Sequence, residues 1–215
     1  NMKIISVNVG LPREVNWKGR TVSTGIFKEP VTDRVMVRSL NLDGDGQADL
    51  TVHGGVDKAV YVYPFEHYDY WRTELPDTDL TMGNFGENFT TTGLKEEDLN
   101  IGDRFQIGSV ELMVTQPRMP CYKLGIRFGR ADMVKRFLAS RRTGFYFRVL
   151  QEGEVVVGDT LALVSRDENN ITVADITQLY TREKNDPELL QRATQLEALP
   201  ESWRDYFQEQ VRRVR

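Results

Sequence analysis

The chain has 215 residues, with 28 lysines and arginines against 32 aspartates and glutamates and a net charge of −4. That length predicts one large domain or one domain with a small appendage, and the acidic balance disfavours duplex nucleic acid as a partner. The one cysteine, Cys121, excludes an intramolecular disulfide, and with only two histidines and no CxxC pair it leaves no Cys/His zinc cage.

The apolar start of the chain is too short for a signal-peptide core, and no later stretch approaches the ~20 apolar residues of a membrane span. A cytoplasmic protein without membrane contact is expected. From residue 3 to about residue 164, short β-branched alternating runs separated by glycine turns predict strands at 4–9, 59–63, 104–107, 110–115 and 155–164. Gly108-Ser109 reads as the tight turn of a hairpin. Two helices interrupt this pattern. One covers residues 65–74, with Pro64 in its first turn. The other covers 131–140, with Met133, Phe137 and Leu138 on one face and Gly144 just beyond.

After a polar linker the chain turns helical. Thr172 and Asp175 have capping-box spacing and open a helix over 173–181. Asp186-Pro187 caps a second helix, with Leu189, Leu190, Ala193 and Leu196 along one face. Pro200 opens a third, carrying Trp203, Tyr206, Phe207 and Val211. These helices hold too little core to stand alone and should dock on the β domain or on a partner. The expected division is therefore a β domain at 2–164 and a three-helix extension at 165–215.

Charge is unevenly spread. Between residues 115 and 148 nine basic residues face a single acid, Asp132, a local net charge of +8 inside an acidic chain. Cys121 lies within this stretch, in a loop stiffened by Pro117 and Pro120 directly after a predicted strand, and cations around a thiol favour its thiolate form. The plain alternative is a solvated arginine face beside a buried hydrophobic cysteine.

Residues 44–61 hold four glycines within twelve positions, together with His53, Gly54, Gly55 and Lys58. Asp43, Asp45 and Asp49 suggest a calcium loop, but Ala48 and Gly54 fall where that loop needs glycine and glutamate. Phosphate-loop and dinucleotide spacings are absent as well. Backbone amides beside an imidazole still suit close approach of a ligand. A third phrase, Asn84-Phe85-Gly86-Glu87-Asn88-Phe89, reads alone as a turn with packed flanks.

Taken in order, residues 49–60, Phe85-Gly86-Glu87-Asn88-Phe89, Ile101-Gly102-Asp103 and Pro120-Cys121 resemble the MOSC domain family, named for the C-terminal domain of molybdenum cofactor sulfurases. The helical tail resembles the three-helix extension of its YiiM-type branch. The resemblance implies a mostly β fold with α elements, a closed or nearly closed β-barrel with peripheral helices. It also implies a molybdenum cofactor (molybdopterin) site and reduction of N-hydroxylated bases, hydroxylamines and amidoximes. Cys121 then either ligates molybdenum or carries sulfur, and His53 is a proton relay. Arg118 and Arg148 suit the cofactor's phosphate or pterin, while Gly54, Gly55, Lys58 and Asn88 offer hydrogen bonds. Thr24 and Lys28 lie in a stretch that resembles the branch near its pocket. No haem, iron–sulfur or flavin motif is present, so electrons are expected from a separate flavin-type reductase. Rival readings are a Cys121 persulfide carrier, a non-catalytic cofactor-binding module and, more distantly, a Cys121–His53 hydrolase.

Overall fold

The computed structural model describes residues 1–46, 54–182 and 185–214. The chain opens with β1 (Lys3–Val9), a hairpin of β2 (Arg13–Trp17) and β3 (Arg20–Thr24), then β4 (Glu29–Val31) and β5 (Val35–Val37). Next come β6 (Val60–Pro64), α1 (Glu66–Glu74), β7 (Phe89–Thr92), β8 (Arg104–Ile107) and β9 (Val110–Pro117). Two helices, α2 (Tyr122–Phe128) and α3 (Met133–Ser140), precede β10 (Phe145–Gln151), β11 (Gly153–Val155) and β12 (Ala162–Ser165). The tail is α4 (Val173–Thr181), α5 (Pro187–Ala193) and α6 (Glu201–Arg213).

Eight strands form one sheet in the order β12-β8-β9-β10-β6-β7-β1-β4. Its pairs are antiparallel except β6 with β7, which the α1 crossover makes parallel. The sheet curls until its ends meet. Ile4 N–H donates to the Asp159 carbonyl at 2.9 Å, Gly158 N–H to Ile4 at 2.8 Å and Leu161 N–H to Met2 at 3.0 Å. The chain entering β12 thus lies along the start of β1, and the barrel is nearly closed, as the resemblance implied.

Alternation on the strands builds two cores. On β6, Val60 and Val62 join Val114, Phe145 and Phe147 in the barrel core, while Tyr61 and Tyr63 enter a second, aromatic core with Trp71, Phe85 and Phe137 beneath α1 to α3. Both faces of β6 are therefore covered, and all five of its residues are buried. The second core is tied by polar groups at its aromatic tips: Trp71 Nε1 donates to Tyr63 Oη at 2.8 Å, and Tyr61 Oη donates to the Thr143 carbonyl at 2.6 Å.

The tail docks on the β domain. Ile101 N–H donates to Ile171 at 2.8 Å and Val173 N–H to Leu99 at 2.9 Å, and Val173, Ile176, Leu189 and Phe207 share the barrel core cluster. The capping box at Thr172 and Asp175 forms with both reciprocal bonds, and Asp186 caps α5. Among the described residues no helix is long and apolar enough to cross a membrane.

Three details depart from the sequence reading. Residues 155–164 are two strands rather than one, because Asp159 accepts from Val156 N–H at 2.9 Å and folds a turn through Gly158. Pro64 ends β6 instead of opening α1, which starts at Glu66. A short helix, α2, occupies the stretch after Cys121 that the proline loop concealed.

Candidate functional site

The site grows from the end of β9. After Pro117 the chain leaves the sheet through Arg118-Met119-Pro120, and Cys121 becomes the residue preceding α2, with its side chain making no capping bond. Cys121 is partly exposed, forms no disulfide and lines a pocket. Arg118, buried to 7% exposure, lines the same pocket. Its Nη1 donates to Tyr61 Oη and to the Phe85 carbonyl, both at 3.1 Å, and its guanidinium lies 4.9 Å from the Tyr61 ring centre and 5.2 Å from that of Phe137. Burial works against this charge, but the oxygens of Tyr61 and Tyr146 and the Cys121 thiol raise the pKa above the ordinary arginine value.

Lys58 and Tyr146 form one side wall. Burial lowers the Lys58 pKa; a Cys121 thiolate opposes the shift, and the Arg118 charge adds to it. The Tyr61 and Tyr146 phenols are pushed up by burial, so both remain neutral hydrogen-bonding groups. Lys123, the second residue of α2, belongs to the same lining.

Lys28 and Asn88, also in the lining, belong to a built polar network. Lys28 Nζ pairs with Asp45 at 2.5 Å, both side chains almost fully buried, and also reaches the Gly46 carbonyl at 3.3 Å. Asp45 accepts from Gly10 N–H at 3.0 Å and from Asn88 Nδ2 at 2.9 Å. Asn88 Oδ1 accepts from Tyr61 N–H at 2.9 Å, so this amide locks β6 to the loop before β7. Burial lowers the Lys28 pKa, with the Asp45 charge opposing the shift. Thr24 Oγ1 accepts from Ile26 N–H at 3.1 Å.

Six of the residues singled out in the sequence thus line one pocket: Thr24, Lys28, Lys58, Asn88, Arg118 and Cys121. Gly54 and Gly55 lead into the short 3-10 turn Val56–Lys58 and are not in the lining. Arg148 lies elsewhere, half exposed on β10 with its Nη1 3.4 Å from Asp57. His53 lies outside the described residues. Sequence reading missed Tyr61 and Tyr146 as wall residues and left Lys123 among the general basic run. The alternation of Tyr61 with Val60 and Val62 was the available signal, because a tyrosine on the face opposite a valine row has an apolar body and a tip that needs a partner.

Among the described residues no cluster of three or more His, Cys, Asp or Glu can hold a metal ion. Among the described residues Cys121 thus stands as a single ligand for a centre carried by another group. The donor set suits such a group. A thiol suits a soft metal already bound to sulfur, Arg118, Lys58 and Lys123 suit an anion, Lys28 being already paired with Asp45, and no carboxylate joins the described lining. The space within these walls is about 80 Å³, so they grip one part of a pterin-sized ligand.

Comparison with known proteins agrees with this architecture. Residues 49–162 match the MOSC domain model, and residues 171–213 match the model of the YiiM-like, 3-alpha helix domain. The chain is 42% identical to the Bacillus subtilis protein YflK over 98% of its own length and 95% of that protein's. It is 34% identical over 83% of its length to a Gibberella moniliformis protein named as a reductase, of which it covers 32%. The crystal structure of YiiM from Geobacillus stearothermophilus is similar with a TM-score of 0.82 and 36% identity, over 98% of this chain and 100% of that one.

Proposed function

Because the chain belongs to the MOSC domain family and carries the YiiM-like 3-alpha helix domain, we propose that it is a molybdenum-cofactor-dependent reductase of N-hydroxylated compounds. Its electrons come from a separate flavin-type reductase. The observation that carries this reading is a partly exposed thiol sharing one pocket with Arg118, Lys58 and Lys123, with no carboxylate in the described lining. The fungal relative named as a reductase supports the reaction class.

The overall conversion takes R–NHOH, two electrons and two protons to R–NH₂ and water. When bound, the cofactor supplies a two-electron, oxygen-accepting centre. Cys121 Sγ holds it, and Arg118, fixed by Tyr61 and Phe85, neutralises the anion without reorganising when ligand arrives. Lys123 adds countercharge. Lys58 Nζ is the proton donor we assign among the described residues. Burial makes it a stronger acid than an exposed lysine, and it stands close enough to Cys121 and Arg118 to feel both charges. Lys28 and Asn88 are held in the lining by their bonds to Asp45.

The test is turnover. Protein produced in cells that make the cofactor should reduce an amidoxime or an N-hydroxylated purine with reduced methyl viologen as donor, and Cys121→Ala should abolish this. A sulfur adduct on Cys121 in the intact mass after treatment with a cysteine desulfurase, with no turnover, would instead make the protein a persulfide carrier.

A further inference from the structure

The turn Val56–Lys58 brings Lys58 into the pocket lining, yet none of its three residues is buried and Val56 is 39% exposed. Packing anchors only its downstream end, where Ala59 and Val60 enter the barrel core. The rest is placed by hydrogen bonds. Lys58 N–H donates to the Gly55 carbonyl at 3.1 Å and closes the turn on itself. The Asp57 carbonyl accepts from Thr115 Oγ1 at 2.7 Å and from Gln116 Nε2 at 3.1 Å, and the Asp57 carboxylate lies 3.4 Å from Arg148 Nη1. β9 and β10 thus hold the residue immediately before Lys58.

Thr115 and Gln116 are consecutive, and in a regular strand their side chains would point to opposite faces. A bulge changes this. Gln116 pairs with Tyr146 and Val114 with Phe147, so Thr115 is the extra residue of β9, and both side chains reach one carbonyl. Both are buried. One donor would satisfy that carbonyl, whereas two buried donors fix its position. Gln116 is also held from its other end, because its Oε1 accepts from Trp203 Nε1 of α6 at 2.9 Å. An indole N–H can only donate and a peptide carbonyl can only accept, so the amide has one orientation and both its ends are used. Glutamate could not donate to Asp57, and methionine could make neither bond.

We propose that Thr115 and Gln116 are positioning residues that hold Lys58 in the Cys121 pocket, and that the three-helix tail takes part in the site by fixing Gln116 through Trp203. The role of Lys58 as proton donor rests on the reductase reading, while its placement can be tested without turnover.

The experiment reads the charge that Lys58 presents to the thiol. Cys121 is the one cysteine of the chain, so alkylation of the full-length protein, produced in cells unable to make the cofactor, reports on it alone. The rate with iodoacetate, an anion, is divided by the rate with neutral iodoacetamide. The same thiolate attacks both reagents, so the thiolate fraction cancels. Lys58→Met should lower this ratio about threefold or more, the loss of one nearby cation for an incoming anion. Gln116→Met and Thr115→Val should lower it toward the Lys58→Met value with circular dichroism unchanged, and Thr115→Ser should keep it. Adding Gln116→Met to Lys58→Met should change nothing more. Trp203→Phe, which keeps a ring and removes the N–H, should shift the ratio in the same direction.

Unchanged ratios in Gln116→Met and Thr115→Val overturn the positioning role. So does a further fall in the double variant, which would mean that the effect bypasses Lys58. If Gln116→Met does not fold, the contrast between Thr115→Val and Thr115→Ser decides. An unchanged ratio in Trp203→Phe overturns the part given to the helices. A lowered ratio in a protein that, once loaded with cofactor, reduces no N-hydroxylated compound keeps the positioning role and rejects the reductase. Turnover with an unmoved ratio does the reverse.

Discussion

Lys58 is the residue whose titration is most exposed to test. Its pKa lies below the ordinary lysine value, with burial the largest cause. If its ammonium supplies the proton, kcat/KM falls as pH rises through that lowered pKa, since the deprotonated form has nothing to give. Lys58→Arg keeps the charge but raises the pKa, so the alkaline limb of the profile should move upward while overall rate drops. An unmoved limb would assign the proton to another group. Lys28 and Asp45 make a different demand. Both are buried, and removing one partner strands the other's charge or polar group. Lys28→Met should cost about 3 to 5 kcal/mol in urea denaturation, and Lys28→Met/Asp45→Asn should recover at least half, a pattern that would be absent if the pair contributed only as surface charge.

At the scale of elements, the junction into β10 fixes Tyr61 and with it the pocket wall. Gly144 has φ +66°, and a Cβ there would meet the Val62 carbonyl and approach the Tyr61 and Tyr63 rings to 2.9 Å. Its N–H donates to Glu96 at 2.7 Å and its carbonyl accepts from Arg118 N–H at 3.4 Å. Gly144→Ala should therefore lose about 3 kcal/mol or more, and retention of full stability would mean the strand can shift without disturbing Tyr61. The sequence carried much of this architecture. The hairpin at Gly108-Ser109, the capping box at Thr172 and the Asp186-Pro187 start are local chemistry, and local chemistry is readable. The break after Val155 is carried by Gly158-Asp159, a turn pair legible in the sequence, although valine and leucine continue on both sides of it. α2 was concealed because two prolines precede it and its seven residues show no periodicity. Six candidate pocket residues converge because the family motifs sit on strand ends that the barrel brings together. Arg148 does not, since its position on β10 faces Asp57, a pairing no sequence spacing reveals.

At the scale of the molecule, the C-terminal helices belong to the same packed body as the barrel. Trp203 Nε1 donates to Gln116 Oε1 at 2.9 Å, and Gln116 in turn holds the Asp57 carbonyl at 3.1 Å, which connects α6 to the turn that carries Lys58. Trp203 also packs on Tyr180 and Phe207. Trp203→Ala should lower Tm by about 4 to 8 °C, the shift expected for roughly 2 kcal/mol in a chain of this size. An unchanged Tm would mean the helices add nothing to the barrel's stability.

The central claim is that Cys121 and its cations hold a molybdenum cofactor. The direct measurement is the molybdenum and pterin content of the protein isolated from cofactor-producing cells, beside that of Cys121→Ala. Near-stoichiometric molybdenum and pterin in the first, with the metal lost from the second, is the predicted result. Absence of both from the first, or metal undiminished in the variant, would contradict it.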